Sequence, residues 1–340
     1  MERGQVSGVR CRVSGVRFSG LRCRVSGRGS CSCTLYRKLK IMPELPEVET
    51  IARGLATRVI GDRIESVWLG SKPEPLKSPA RRIVSTLEGS RITGVRRMGK
   101  HIVIELERSA ERSSAHKKRR PTQVHGGKGG KKAEGQRALS TRAQWIVHLG
   151  MTGQLLVCSP DVQIEKHTHL IANLQSGREL RFVDPRRFGR LSVAVNGNFA
   201  AFGSEPLEIE PEPFIALFRG RKTPIKSALL NQKLLRGVGN IYADESLFRA
   251  GIRPRRRTAT ITGEQFGKLH GAVQGVLKEA IELGGSSISD YVDADGEEGF
   301  FQLQHRVYGR EGEPCLVCKT RIKRVVIAGR SSHYCPKCQK

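Results

Sequence analysis

Aromatic side chains are scarce in this 340-residue chain, at 5%. A row of exposed rings for stacking single-stranded nucleic acid is therefore not the mode its composition favours. Long apolar runs are missing too. No stretch reaches the roughly eighteen apolar residues of a membrane-spanning helix, so no transmembrane helix is expected. Acids are outnumbered: 32 Asp+Glu against 60 Lys+Arg leave a formal charge of +28. A single basic run is usually a solvated face, but an excess of this size favours a polyanionic partner, most often nucleic acid. Cysteine is nearly absent from the middle of the chain, where Cys158 stands alone and reads as an inert core thiol.

The other cysteines are clustered at the two ends. Cys11, Cys23, Cys31 and Cys33 fall within residues 1–41, and Cys315, Cys318, Cys335 and Cys338 close the chain. Such clustering speaks for metal rather than disulfides, and for a reducing compartment. Residues 1–41 are rich in Arg, Ser and Gly, and "RCRVSG" occurs twice, at 10–15 and 22–27. That composition predicts a low-complexity, disordered extension. It reads as translated sequence upstream of a true start at Met42, with an Arg-rich transit peptide as the alternative.

From Met42 the pattern changes. Pro46, Glu47 and Glu49 suit a helix start, and Val48, Ile51, Ala52, Leu55 and Val59 form one apolar stripe. Strand-like runs follow ("IESVWLG", "RITGVRRMGKHIVIEL", "AQWIVHLGMTGQLLV", "HLIANLQSGRELRFV", "GRLSVAV"), with "QSGRE" as a hairpin turn. These predict a β-sandwich domain over 42–204, interrupted at 108–142 by a basic, disordered insertion. After a Pro-rich linker (205–213), helix-period residues at 225–236, 240–250 and 263–283 predict a helical domain over 205–299. The last unit spans 300–340. The fold class expected is thus α+β and multidomain.

Three motifs carry chemistry. In the tail, two C-x2-C knuckles stand sixteen residues apart, room for a short hairpin. Four thiolates suit one tetrahedral Zn²⁺ and leave no open position for water, so the metal would be structural. An iron–sulfur centre is the lesser alternative. In "LLRGVGNIYADESLF", Asn240 suits an N-cap whose helix offers amides to a phosphate, although an ordinary tight turn reads equally well. In "VDPRRFG", Arg186, Arg187 and Phe188 fit a wedge for duplex DNA, though such a turn is usually only a turn. Read alone, Pro43 and Glu44 are a turn before a helix, Lys100 is a solvent-facing strand residue, and Met151 belongs to the core.

Taken together and in order, "MPELPEVET", "MGKHIVIEL", "VHLGMTG", "DPRRFG", "LLRGVGNIYADESLF" and the cysteine tail resemble the bacterial formamidopyrimidine-DNA glycosylase family. The resemblance runs from Met42 to the last residue, outside the insertion. It implies an N-terminal helix with a β-sandwich, a helix–two-turn–helix domain carrying a lesion loop, and a zinc-finger hairpin. It implies a monomeric bacterial enzyme, cytoplasmic and nucleoid-associated, that removes oxidised purines from damaged double-stranded DNA by flipping the base out.

Roles follow by position. Pro43 would be the nucleophile, through its free amine, and Glu44 the general acid. Lys100 would donate a proton in β-elimination, and Arg330 would hold phosphate and serve the δ step. His167, Lys222, Lys226 and Asn240 would bind the DNA backbone. Met151, Arg186 and Phe188 would fill the gap left by the flipped base, with Arg186 reading the opposite cytosine. Glu47 would shape the lesion pocket, and Cys315, Cys318, Cys335 and Cys338 would hold zinc. The loop "DYVDADGEEGFFQ" departs from the family, with Glu297 and Glu298 where a basic residue is common, so no base-recognition residue is carried over from it. Two alternatives stay open: an endonuclease VIII-like enzyme for oxidised pyrimidines, and a non-catalytic DNA-binding protein if the extension is retained.

Overall fold

Proline and acid open the first helix. Pro46 lies in the first turn of α1 (Leu45–Val59), where its missing N–H costs nothing. Glu47 reaches back to accept the Glu44 N–H at 2.9 Å. The computed structural model describes residues 42–108, 141–197, 199–286 and 299–340. The N-terminal extension with its four cysteines, most of the basic insertion, and Glu297 and Glu298 lie outside the described residues.

Among the described residues of the N-terminal half eight strands follow: β1 (Ile64–Leu69), β2 (Arg91–Met98), β3 (His101–Arg108), β4 (Thr141–His148), β5 (Gln154–Cys158), β6 (Thr168–Leu174), β7 (Glu179–Val183) and β8 (Arg190–Val195). They form two four-stranded antiparallel sheets, ordered β1-β6-β7-β5 and β2-β3-β4-β8. Their inner faces share one core, with Ile102, Trp145 and Val147 meeting Leu170, Leu180 and Phe182. The β6–β7 hairpin turns at Gly177, whose φ of +80° favours glycine.

Several expectations shift. Arg108 pairs with Thr141 at the end of the β3–β4 ladder, so the strands take both ends of the segment assigned to the insertion. Cys158 ends β5 and is half-exposed rather than in the core. A short helix, α2 (Ala80–Leu87), has no counterpart in the sequence pattern; only Ile83 and Leu87 are buried, too few to show a period.

In the C-terminal half the Pro-rich linker already becomes helix: α3 (Pro211–Phe218) uses Pro211 in its first turn. The helix expected over 225–236 stops early, as α4 (Ile225–Leu229). Asn231 accounts for the stop, since its side chain accepts the Lys233 N–H at 3.0 Å and draws the backbone into a turn. Helices α5 (Asn240–Arg249) and α6 (Gly263–Glu282) complete the set. Thr262 and Gln265 cap α6 reciprocally, at 3.3 and 3.1 Å. Phe214, Phe218, Tyr242, Phe266 and Phe301 fill this second core.

Helix α1 joins the two halves. Leu45 packs in the helical core, whereas Val48, Ile51, Ala52, Leu55 and Val59 pack in the sandwich core. An ionic lattice holds the same junction. Arg97 meets Glu49 at 2.7 Å and Glu205 at 2.8 Å, and Arg236 reaches Glu205 at 3.1 Å. The first residues of α1 therefore lie at the seam between the halves. No helix among the described residues is long and apolar enough to cross a membrane.

Candidate active site

Glu44 sits at that seam and is almost fully buried. Its Oε1 accepts the backbone N–H of Asn240 at 2.6 Å, at the first turn of α5. The cap residue of α5 is thus Gly239, and Asn240 begins the helix instead of capping it. Glu44 fills the end where a phosphate was expected. Its Oε2 is buried without a hydrogen-bond partner. Burial pushes the carboxyl pKa up to about 7, with the Lys100 charge opposing and the Glu47 charge adding. A carboxyl so placed can hold a proton near neutrality and release it.

The two glycines of "GVGN" make room for this contact. Gly237 has φ +86°, and its carbonyl accepts the Leu45 N–H at 3.1 Å. At Gly239, a Cβ would lie 1.8 Å from the Glu44 carboxyl carbon. Gly239→Ala is therefore expected to expel the Glu44 carboxylate. On the general-acid role that the resemblance implies for Glu44, base release should fall by about tenfold or more, the scale of one lost charged hydrogen bond. Release by that variant at wild-type rate, in a single-turnover assay, would refute the placement of Glu44.

A cleft of about 560 Å³ opens in front of Glu44. Lys100, Met151, Asn240, Tyr308 and Arg330 line it, together with Met42. Lys100 lies in the turn between β2 and β3; burial lowers its pKa, and the charges of Glu44 and Glu47 resist that. Tyr308, which the sequence does not single out, accepts a 3.4 Å hydrogen bond from Asn240 Nδ2. Burial pushes its phenol up to about 12, so it stays a neutral donor. Glu47 lies behind the cleft, buried, holding the Ser286 N–H at 2.8 Å and the Tyr242 hydroxyl. Burial raises its pKa, and those hydrogen bonds oppose the shift. Pro43 itself is buried beside Glu44.

The wedge residues sit on a turn organised by Asp184. This fully buried carboxylate accepts from Thr152 Oγ1 at 2.6 Å, Gly189 N at 2.7 Å and Arg186 N at 3.2 Å. Thr152 neighbours Met151, so one aspartate ties the methionine loop to the arginine turn. Gly150 packs directly on the Phe188–Gly189 backbone, where a Cβ would come within 2.6 Å. Arg186 lies 4.8 Å over the half-exposed Phe188 ring. His167 is exposed, and its carbonyl accepts the Asp184 N–H at 3.0 Å.

Two expected phosphate ligands stand elsewhere. Lys222 is exposed but does not line the cleft. Lys226 is fully buried and points inward, 2.6 Å from Asp244 Oδ1 and 2.6 Å from the Ser331 carbonyl. Its ammonium cannot reach a DNA backbone while it serves those partners. It braces the strand that carries Arg330.

That strand belongs to the terminal hairpin, β9 (Lys323–Ile327) and β10 (Arg330–Tyr334). Ala328 and Gly329 both have positive φ, 47° and 74°, the geometry of a tight two-residue hairpin turn. Arg330 follows at once and lines the cleft. At the hairpin base the sulfurs of Cys315, Cys318, Cys335 and Cys338 lie within 4.8 Å of one another. Tetrahedral Zn–S bonds of about 2.3 Å space sulfurs about 3.8 Å apart. Two of the pairs, Cys315–Cys338 at 3.9 Å and Cys318–Cys335 at 3.4 Å, fit that set, and the four thiolates make a closed, structural zinc site. Asp244 and Glu245 on α5 dock the unit. Asp244 accepts the His333 N–H at 2.8 Å, and Glu245 accepts three consecutive amides, Arg306 to Tyr308. Adjacent acids inside an otherwise apolar helix were the available sign of this.

Comparison with known proteins gives the same layout. Residues 42–191 match the family model for the formamidopyrimidine-DNA glycosylase N-terminal domain, 202–292 that for its H2TH domain, and 312–340 that for a zinc finger found in FPG and IleRS. The chain is 44% identical to the formamidopyrimidine-DNA glycosylase of Solibacter usitatus and 40% identical to that of Gluconobacter oxydans, with 88% of this chain and all of each relative aligned. It is similar to the crystal structure of the Lactococcus lactis FPG (MutM) protein with DNA containing an oxidised pyrimidine (TM-score 0.71, 30% identity, covering 88% of this chain and 100% of that one). It is likewise similar to the MutM (FPG) protein of Thermus thermophilus (TM-score 0.69, 36% identity, covering 87% and 98%).

Proposed function

The chain belongs to the formamidopyrimidine-DNA glycosylase family, and from that premise we propose how its residues divide the work. The protein is a base-excision repair glycosylase and abasic-site lyase acting on damaged duplex DNA. Pro43 is the nucleophile. Its secondary amine attacks C1′ of the damaged nucleotide as the C1′–base bond breaks, and the base leaves with a proton. Glu44 gives its proton to the ring oxygen O4′, the sugar opens, and an iminium forms between Pro43 and C1′. The iminium acidifies C2′. Loss of that proton expels the 3′ phosphate, and a second elimination expels the 5′ phosphate. Water then releases Pro43 from the sugar fragment.

The observation that carries this reading is Glu44, buried at the head of the cleft with one oxygen unpartnered and its pKa near 7. Lys100 and Arg330 line the same cleft, which supports giving Lys100 the proton donation and Arg330 the phosphate contact of the eliminations. Asn240 and Tyr308 offer donors to the backbone. Arg186, Phe188 and Met151 occupy the space of the flipped base, and Glu47 backs the lesion pocket. One chain supplies every group, so a monomer suffices. A place on the nucleoid, in the bacterial cytoplasm, follows from the substrate.

The test compares duplexes containing 8-oxoguanine, a formamidopyrimidine or thymine glycol, nicked by protein that starts at Met42. Faster nicking of the purine lesions, with phosphate at both new ends, is expected. Preference for thymine glycol would overturn the purine assignment.

A further inference from the structure

His305 is buried and has no part in the chemistry above. Its Nε2 lies 3.3 Å from the Ser286 hydroxyl. Its ring meets Phe301 edge-on at 5.5 Å and Tyr308 at 5.6 Å. The neighbouring segment ends are fastened together. Ser286 bridges Phe300, the Phe300 N–H donates to the Leu283 carbonyl, and the Phe301 N–H donates to the Gly285 carbonyl, the last two at 2.9 Å. Ser286 in turn donates its N–H to Glu47 at 2.8 Å, and Gly285 presses against Glu47, where a Cβ would come within 3.0 Å. Phe301 also packs on Tyr242, whose hydroxyl donates to the same carboxylate. His305 thus touches one support of Glu47, Ser286, directly and reaches the other, Tyr242, through Phe301.

We infer that His305 is a positioning residue for base release: it holds the Ser286 hydroxyl, and through Ser286 and Phe301 it fixes the Glu47 carboxylate against the flipped base. Besides the Glu44 N–H bond to Glu47, Pro43 and Glu44 have two anchors that the histidine does not touch, the Leu45–Gly237 and Glu44–Asn240 hydrogen bonds. Loss of the histidine contact therefore disturbs the base side and leaves the amine in place. The inference rests on the glycosylase reading and on the place given there to Glu47.

The experiment uses the protein starting at Met42, zinc-loaded, with His305→Leu, His305→Gln, Ser286→Ala and the Leu/Ala double variant. Two rates are measured on each: release of 8-oxoguanine and incision of a duplex with a preformed abasic site. His305→Leu and Ser286→Ala are each expected to slow base release about tenfold at saturating DNA, the effect of one buried hydrogen bond. Abasic incision should stay within about twofold of wild type, which reports an intact fold. The double variant should be no slower than either single one, because both remove the same contact. Gln, whose side-chain amide can accept through its oxygen or donate through its nitrogen where Nε2 stood, should restore most of the rate. Equal loss of both activities, multiplying losses in the double variant, or a Gln variant as slow as Leu each overturn the inference. If the wild-type protein incises abasic DNA yet releases no base, the glycosylase reading itself fails, and this inference with it.

Discussion

Borohydride added to a duplex carrying 8-oxoguanine is expected to trap a protein that begins at Pro43, and to leave the 340-residue chain unattached. The reason lies in one nitrogen. In the long chain, Pro43 follows Met42 through a tertiary amide, whose lone pair is delocalised into the carbonyl. Such a nitrogen cannot attack C1′ or form an iminium, so there is nothing to reduce. In a chain begun at Met42, removal of the methionine before proline exposes a secondary amine. Met42 itself lines the cleft, so its loss also clears space where the sugar must approach. Adduct formation is read as a shifted band on a denaturing gel, with the mass of the N-terminal peptide as control. The difference should be all or nothing. An adduct with the 340-residue chain, extension intact by mass, would remove Pro43 from the mechanism.

A second large effect is expected inside the protein. Lys226 and Asp244 form a fully buried ion pair at 2.6 Å. Lys226→Met leaves a carboxylate, and Asp244→Leu leaves an ammonium, each without its partner in a medium that solvates charge poorly. Breaking one side of such a pair costs about 3–5 kcal/mol, whereas replacing both sides with apolar groups is often neutral. Each single variant should therefore unfold at markedly lower urea, and the double variant Lys226→Met/Asp244→Leu should recover much of the loss. Singles that lose less than about 1 kcal/mol would mean that water reaches the pair. The same pair fixes β10 twice, through the Ser331 carbonyl and the His333 N–H. The surviving enzyme should thus carry a less well aimed Arg330.

Elements with a local signature were legible in the sequence. The α1 stripe, the hairpin turn at Gly177 and the two cysteine knuckles each depend on residues a few positions apart. The site was legible only through the resemblance. Pro43 and Glu44 say nothing on their own, because the partner that gives Glu44 its properties, Asn240, is 196 residues away. Asp184 and Tyr308 escape a sequence reading for the same reason: each does its work through contacts that no periodicity encodes. Lys226 carries over from the resemblance as a ligand of the DNA backbone because no motif shows that its ammonium is paired with a buried aspartate. Asn231 is a local signal of the opposite kind, a side chain that ends a helix which its apolar neighbours would continue.

The hydrogen bond from Asn240 to Glu44 joins the carboxyl proposed as general acid to the foot of a helix in the other half of the protein. When Glu44 gives up its proton, the charge left behind sits at the positive end of α5, which favours it. Before that step burial favours the neutral acid; after it the helix favours the anion. Proton donation therefore strengthens the grip between sandwich and helical half.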